Sequence, residues 1–152
     1  MNYSPDLYKG MLTGLIAITV NTIALKVAPL FNIEAESGGL LKLVIIQVKP
    51  FVNASTISFF QTIVFWIFFH YLTGFTMIIL YMYFLEPVLP GKALLSGTLF
   101  SLVPWLINGL IVLPMLGQGI FGYQKLPLSG MIYFFIANWM FAVLFVYLYK
   151  RF

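Results

Sequence analysis

The sequence predicts an all-α integral membrane protein, with four transmembrane helices and one short interfacial or re-entrant helix in the first loop. Three observations carry this. Hydrophobic residues make up 62 % of the 152 residues and charged residues only 8 %, where a soluble domain carries roughly 25 % charged. The sparse charges leave four long uncharged intervals, each able to hold a span of about 20 residues. Runs such as Ile63-Val64-Phe65-Trp66-Ile67-Phe68-Phe69 do not alternate apolar and polar residues, so a transmembrane barrel does not fit. Backbone groups facing lipid must be paired within their own segment, which leaves helices.

The spans are predicted near 10–28, 57–85, 93–113 and 129–149, in a single membrane domain covering the whole chain. The first has Asp6 at its start, where it complements the helix dipole. Lys26 falls in its last turn and can snorkel to the interface, and Pro29 stops it. The segment reads as a retained helix, because it lacks a basic n-region and a small-x-small cleavage site. The second span is longer than a bilayer core requires. It should tilt, bend near Gly74 or emerge from the membrane, and Glu86-Pro87 and Leu89-Pro90-Gly91 end it in a tight turn. Pro104 predicts a kink in the third span, and Pro114 ends that span. Between the first two spans, about 39–49 is apolar but too short to cross. It follows Gly38 and Gly39, precedes Pro50, and reads as the interfacial helix.

The net charge of +4 comes from singly placed bases that bracket the apolar runs. They read as anchors to phosphate headgroups rather than a nucleic-acid surface. Lys9, Lys92, Lys150 and Arg151 share the side of the termini, and Lys26, Lys42, Lys49 and Lys125 lie opposite. Discounting Lys26 and Lys42, which sit within apolar segments, places both termini in the cytoplasm. The composition excludes a soluble enzyme and a disordered chain. The absence of cysteine excludes disulfides, thiolate catalysis, iron–sulfur clusters and Cys-based zinc sites within this chain.

Gly117-Gln118-Gly119-Ile120-Phe121-Gly122 matches G-x-G-x-x-G, but it follows a membrane span and no acid occurs after Glu86. It reads as a flexible turn in the headgroup layer rather than a dinucleotide loop. Asn2-Tyr3-Ser4 and Asn53-Ala54-Ser55 match the glycosylation triplet, a common chance match. Gly10 and Gly14 on the first helix, and Ala93, Gly97 and Ser101 on the third, are small residues spaced for close helix packing.

The polar residues within the spans are the main candidates for a site. Asn21, His70, Asn108 and Asn138 fall one on each helix. Counting places Asn21, His70 and Asn138 near the midplane, with Asn108 about 7 Å away. Interhelical hydrogen bonds among them would contribute about 0.6–2 kcal/mol each. The same cluster could serve as a binding site, since an intramembrane His is expensive and often functional. His70 is the candidate cofactor contact, for a quinone or for a haem with Met77, Met82, Met131 or Met140 as second ligand. No cofactor, catalytic group or metal site is otherwise predicted. Trp66, Trp105 and Trp139 fall inside the spans, away from the interfaces where Trp usually collects.

From His70-Tyr71-Leu72-Thr73-Gly74, through Leu89-Pro90-Gly91, Gly97, Trp105 and Pro114, to Gly117 and Gly119-Ile120-Phe121-Gly122, the chain resembles a loosely defined group of small bacterial four-span membrane proteins with no assigned activity. The resemblance supports four spans, implies no reaction and transfers no functional residue.

The expected function is a non-catalytic accessory subunit of a larger membrane complex, respiratory or photosynthetic. Its partners would be lipids and other integral membrane subunits, with no nucleic acid. The alternatives are a small transporter or channel using the polar cluster, and a quinone- or haem-binding protein.

Overall fold

The computed structural model describes residues 5–35, 39–89 and 91–152. The chain is an all-α membrane protein. Four helices are long and apolar enough to cross a bilayer: Leu7–Phe31, Ile63–Leu85, Ala93–Met115 and Leu128–Arg151. The predicted turns at Gly38 and Pro90, and the triplet Asn2-Tyr3-Ser4, involve positions outside the described residues.

Helix α1 (Leu7–Val27) starts where Asp6 accepts a hydrogen bond from the Lys9 amide at 3.0 Å. Its buried residues Gly10, Thr13, Gly14, Ala17, Ile18 and Asn21 recur every three or four positions. They make one narrow face of mostly small side chains, which lets neighbouring backbones come close. A 3₁₀ turn at Ala28–Phe31 follows. Asn32 then takes a left-handed conformation (φ 56°) and turns the chain. The returning backbone lies against Gly130, where an added Cβ would collide with the Glu34 carbonyl oxygen.

The predicted interfacial segment forms α2 (Gly39–Val48), which buries Gly39 and Leu41. The second span does not begin at residue 57. A separate short helix, α3 (Ala54–Phe60), is capped by Asn53, whose Oδ1 accepts from the Thr56 amide at 2.9 Å. The chain breaks at Gln61–Thr62, and Thr62 caps α4 (Ile63–Leu80) by accepting from the Phe65 amide at 3.2 Å. Two caps in ten residues divide the long apolar run, because side-chain oxygens offer the backbone amides an alternative to helical pairing. α4 continues into a π turn at Tyr81–Leu85. The resulting span of about 35 Å fits a bilayer with modest tilt. No break is needed at Gly74, which instead lets α1 approach: a Cβ there would stand 2.7 Å from Ile18 Cδ1.

The third span is α5 (Ala93–Ile107), a π turn at Asn108–Val112 and a final turn, α6 (Leu113–Met115). α5 runs helical past Pro104, and the departure from regular pairing falls one turn later, at Asn108. Pro114 lies at the start of α6, where its missing N–H is tolerated, so the span reaches Met115 rather than stopping at 113. The fourth span is α7 (Leu128–Arg151), which packs between α1 and α5.

The small residues serve these contacts within the bundle. A Cβ at Gly10 would meet the Met82 thioether, and one at Gly14 would meet Ile78, both on the second span. A Cβ at Gly97 would lie 2.6 Å from the Val143 Cα of α7. Ser101 is fully buried and Ala93 packs against the edge of the core.

Towards the termini the bundle is solid. Tyr81 meets Phe100 at 5.0 Å and Phe145 edge-on at 5.5 Å, all three fully buried. Lys150 Nζ donates to the Gly91 carbonyl (3.3 Å) and to Ser96 Oγ (3.2 Å), tying α7 to the start of α5. Lys9 sits over the Tyr149 ring and Arg151 donates to the Tyr147 hydroxyl. These bases therefore make contacts inside the protein as well as at its surface. The outer faces carry exposed Leu, Ile, Val and Phe along every span, the surface a lipid environment requires.

Candidate functional site

The opposite end of the bundle, on the side of α2 and α3, is hollow. A cavity of about 120 Å³ lies there between all four spans, with α2 as its lid. That is room for several waters or one small ring. Asn21, His70, Asn108 and Asn138 all line it. The four polar residues predicted to cluster are thus brought to one site.

The amides do not bond to one another. Asn21 Nδ2 donates across to the Ala137 carbonyl of α7 at 2.9 Å. Asn108 Nδ2 donates to Pro104 O at 2.9 Å, and Asn138 Nδ2 to Phe134 O at 2.7 Å, each one turn back on its own span. The expected Asn–His network is replaced by side chain to backbone bonds. Each amide still has a second N–H and a carbonyl oxygen. The depth of His70 also differs from the count. With the span running from Ile63 to Leu85, His70 lies about 10 Å below its beginning and about 6 Å short of its middle.

His70 makes no hydrogen bond among the described residues. Its ring stacks on Trp66, with centroids 5.0 Å apart and planes within 7°, and meets the edge of Tyr71 at 6.4 Å. Trp66 is in the first turn of α4, at the end of the span. The Lys26 ammonium stands 3.9 Å from the centroid of its ring, an attraction between the cation and the negative ring face. Trp66 thus falls inside its span, as expected, but in its first turn rather than near its middle. Trp105 stacks on Phe121 at 4.3 Å, and Trp139 Nε1 donates to Thr98 Oγ1 at 3.0 Å.

The glycine-rich motif forms a turn whose backbone and ring contacts are defined. Gly117, Gly119 and Gly122 have φ of 70°, 76° and 81°, which glycine adopts without steric cost. Phe121 shares the left-handed region at 54°, where a non-glycine backbone is strained. That conformation turns its ring down onto Trp105, and Gly109 leaves the space it occupies. The turn is closed by Gln124 N–H to Gln118 O at 3.0 Å. In the second glycosylation triplet Asn53 Oδ1 caps α3.

Sequence reasoning missed Phe69 and Thr73 and named Trp66 and Met77 only singly; all four line the cavity with His70. They fall at −4, −1, +3 and +7 from it, so helical periodicity taken from His70 would have picked out this face. Leu41 of the lid gave no comparable signal.

No known protein family, no curated protein and no solved structure matches the chain. Fold and site together define the class: a multi-pass, all-α membrane protein with a mostly apolar cavity, carrying His70 and three amides, in one half of its bundle.

Proposed function

We propose that this chain is a non-catalytic membrane protein that holds a small flat ligand in the cavity under α2, a quinone head group being the class that fits best. One observation carries the reading. His70, stacked on Trp66, lines a cavity that also holds three amides, and makes no hydrogen bond among the described residues. A flat ring can stack there while its carbonyl oxygens accept from the imidazole N–H or the second N–H of an amide. Haem fits less well. A porphyrin is much larger than the cavity, and Met77 lies two turns from His70 on the same helix, about 10 Å away, so one iron does not take both. The solid Tyr81–Phe100–Phe145 layer towards the termini favours a blind site over a pore.

The test is a titration of the purified protein with a short-chain benzoquinone, read by tryptophan fluorescence. Saturable quenching that disappears in Trp66→Phe is expected. Quenching that rises linearly, as for partition into detergent alone, would overturn the reading.

A second reading, the accessory subunit of a respiratory or photosynthetic complex, is favoured by α4. Between Ile63 and Leu80 only Ile78 is buried, and Phe65 and Phe68 extend an aromatic surface from Phe59 and Phe60 of α3. This is the face available to another integral subunit. Native electrophoresis of mild detergent extracts should then show co-migration with a large assembly; migration as a small species would remove this reading.

Both termini are proposed to face the cytoplasm. The cysteine-free chain allows a direct check. Tyr123→Cys, in the exposed turn after α6, should react with an impermeant maleimide from outside intact cells. Labelling only after lysis would reverse the orientation.

A further inference from the structure

The hydrogen bonds of the three amides that line the cavity under α2 leave a particular set of polar groups over. In each amide the nitrogen is identified by its partner, because only an N–H can pair with a carbonyl oxygen. Asn21 donates to Ala137 O, Asn108 to Pro104 O and Asn138 to Phe134 O. Their Oδ1 atoms accept no hydrogen bond among the described residues. Thr73, on the same lining, donates its O–H to Phe69 O at 2.9 Å, so its oxygen too is left with lone pairs only. Asn21 is only 7 % exposed. Its oxygen meets a donor in the cavity or not at all, since the surrounding lipid offers none.

Water can serve such oxygens, but a ring that fills a space of about 120 Å³ displaces it. The ring's own substituents must then serve instead. A quinone brings acceptors alone. Its carbonyls can take the second amide N–H groups and the imidazole N–H, but they leave every Oδ1 unmet. A quinol hydroxyl both donates and accepts. Its O–H goes to an amide oxygen, while its lone pairs still receive an N–H. The two forms are flat rings of nearly equal size, so the space beside His70 and Trp66 does not separate them. The amide oxygens do.

We propose that the cavity, read as a quinone site, selects the reduced, dihydroxy form of its ligand over the oxidised one, a selectivity that rests on that reading. The two hydroxyls donate to amide oxygens of Asn21, Asn108 and Asn138, which come from three different spans. The hydroxyl oxygens accept from the remaining N–H groups of the lining.

Calorimetric titration of the full chain in mild detergent tests it, with a short-chain benzoquinone and, in anaerobic buffer, its quinol. Each is corrected for partition into detergent alone. The quinol should bind about tenfold more tightly, the effect of one buried acceptor left unmet in the quinone complex. Asn108→Leu and Asn138→Leu each remove one Oδ1 and break only a bond within their own span, so the fold should survive, as circular dichroism can verify. Pro104 O keeps the backbone N–H of residue 108. Either variant should lower the preference to about threefold, as expected when one of several acceptors is lost. Equal affinities for the two forms, or tighter binding of the quinone, would overturn the proposal and leave the quinone site standing. A preference unaltered in both variants would overturn it as well, because it would not come from the amide oxygens. Saturation by neither form would remove the quinone reading itself, and the selectivity with it.

Discussion

Gly97→Leu is expected to separate α5 from α7 and destabilise the bundle by about 3 kcal/mol. A Cβ at Gly97 already falls 2.6 Å from a backbone atom, Val143 Cα, and 3.1 Å from Val143 N. Backbone cannot move aside as a side chain can, so the two helices must part. That opens the contact in which Phe100 meets Phe141 and Phe145, and the loss spreads into the core. Gly10→Ala is the contrasting change. Its new methyl meets the Sδ and Cε of Met82, the mobile end of an adaptable side chain. The better helix propensity of Ala, about 1 kcal/mol over Gly, should offset that cost, leaving stability near the parent's. Unfolding by dodecyl sulfate in mixed micelles, followed by circular dichroism, measures both. Equal midpoints for the two variants would mean that the approach of α5 to α7 is not a determinant of stability.

His70→Phe should weaken quinone binding about tenfold while leaving the fold intact. Phenylalanine keeps a ring to stack on Trp66 and removes both nitrogens. Because His70 has no hydrogen-bond partner among the described residues, no internal bond is broken. Taking a polar group out of an apolar wall is then neutral or mildly stabilising. A residue that merely fixed helix register would behave in the opposite way, losing stability with no effect on a ligand. Measuring the benzoquinone Kd beside the unfolding midpoint separates the two roles. Unchanged affinity with a lowered midpoint would assign His70 to structure and remove it from the site.

Parts of this arrangement were legible one residue at a time. Asn21, His70, Asn108 and Asn138 stand out because a polar side chain inside a span is costly wherever it points. Gly10, Gly14 and Gly97 stand out because small residues at helical spacing imply a close neighbour. The position of His70 was less legible. Its depth depends on where α4 begins, and the Thr62 cap moves that start from 57 to 63. Hydropathy does not sense a cap, since Gln61 and Thr62 are two uncharged residues in an otherwise apolar run. In the turn at Gly117–Gly122 the glycines are legible in the sequence, but the packing of the Phe121 ring on Trp105 is not.

The sequence by itself determined the solvent and the architecture: a chain so poor in charge must live in lipid, and lipid leaves helices as its only open-ended solution. It also determined which residues would be costly to bury and which were small enough for contact. Only the tertiary structure decided that these costs fall at one end of the bundle. Tyr81, Phe100 and Phe145 fill the space towards the termini. At the other end α2 folds over the spans and leaves a cavity between them. The reason is physical. Burial of a polar side chain is a local expense, readable from composition and spacing. A cavity is a mismatch of volumes among helices distant in sequence, and it exists only once their packing is set.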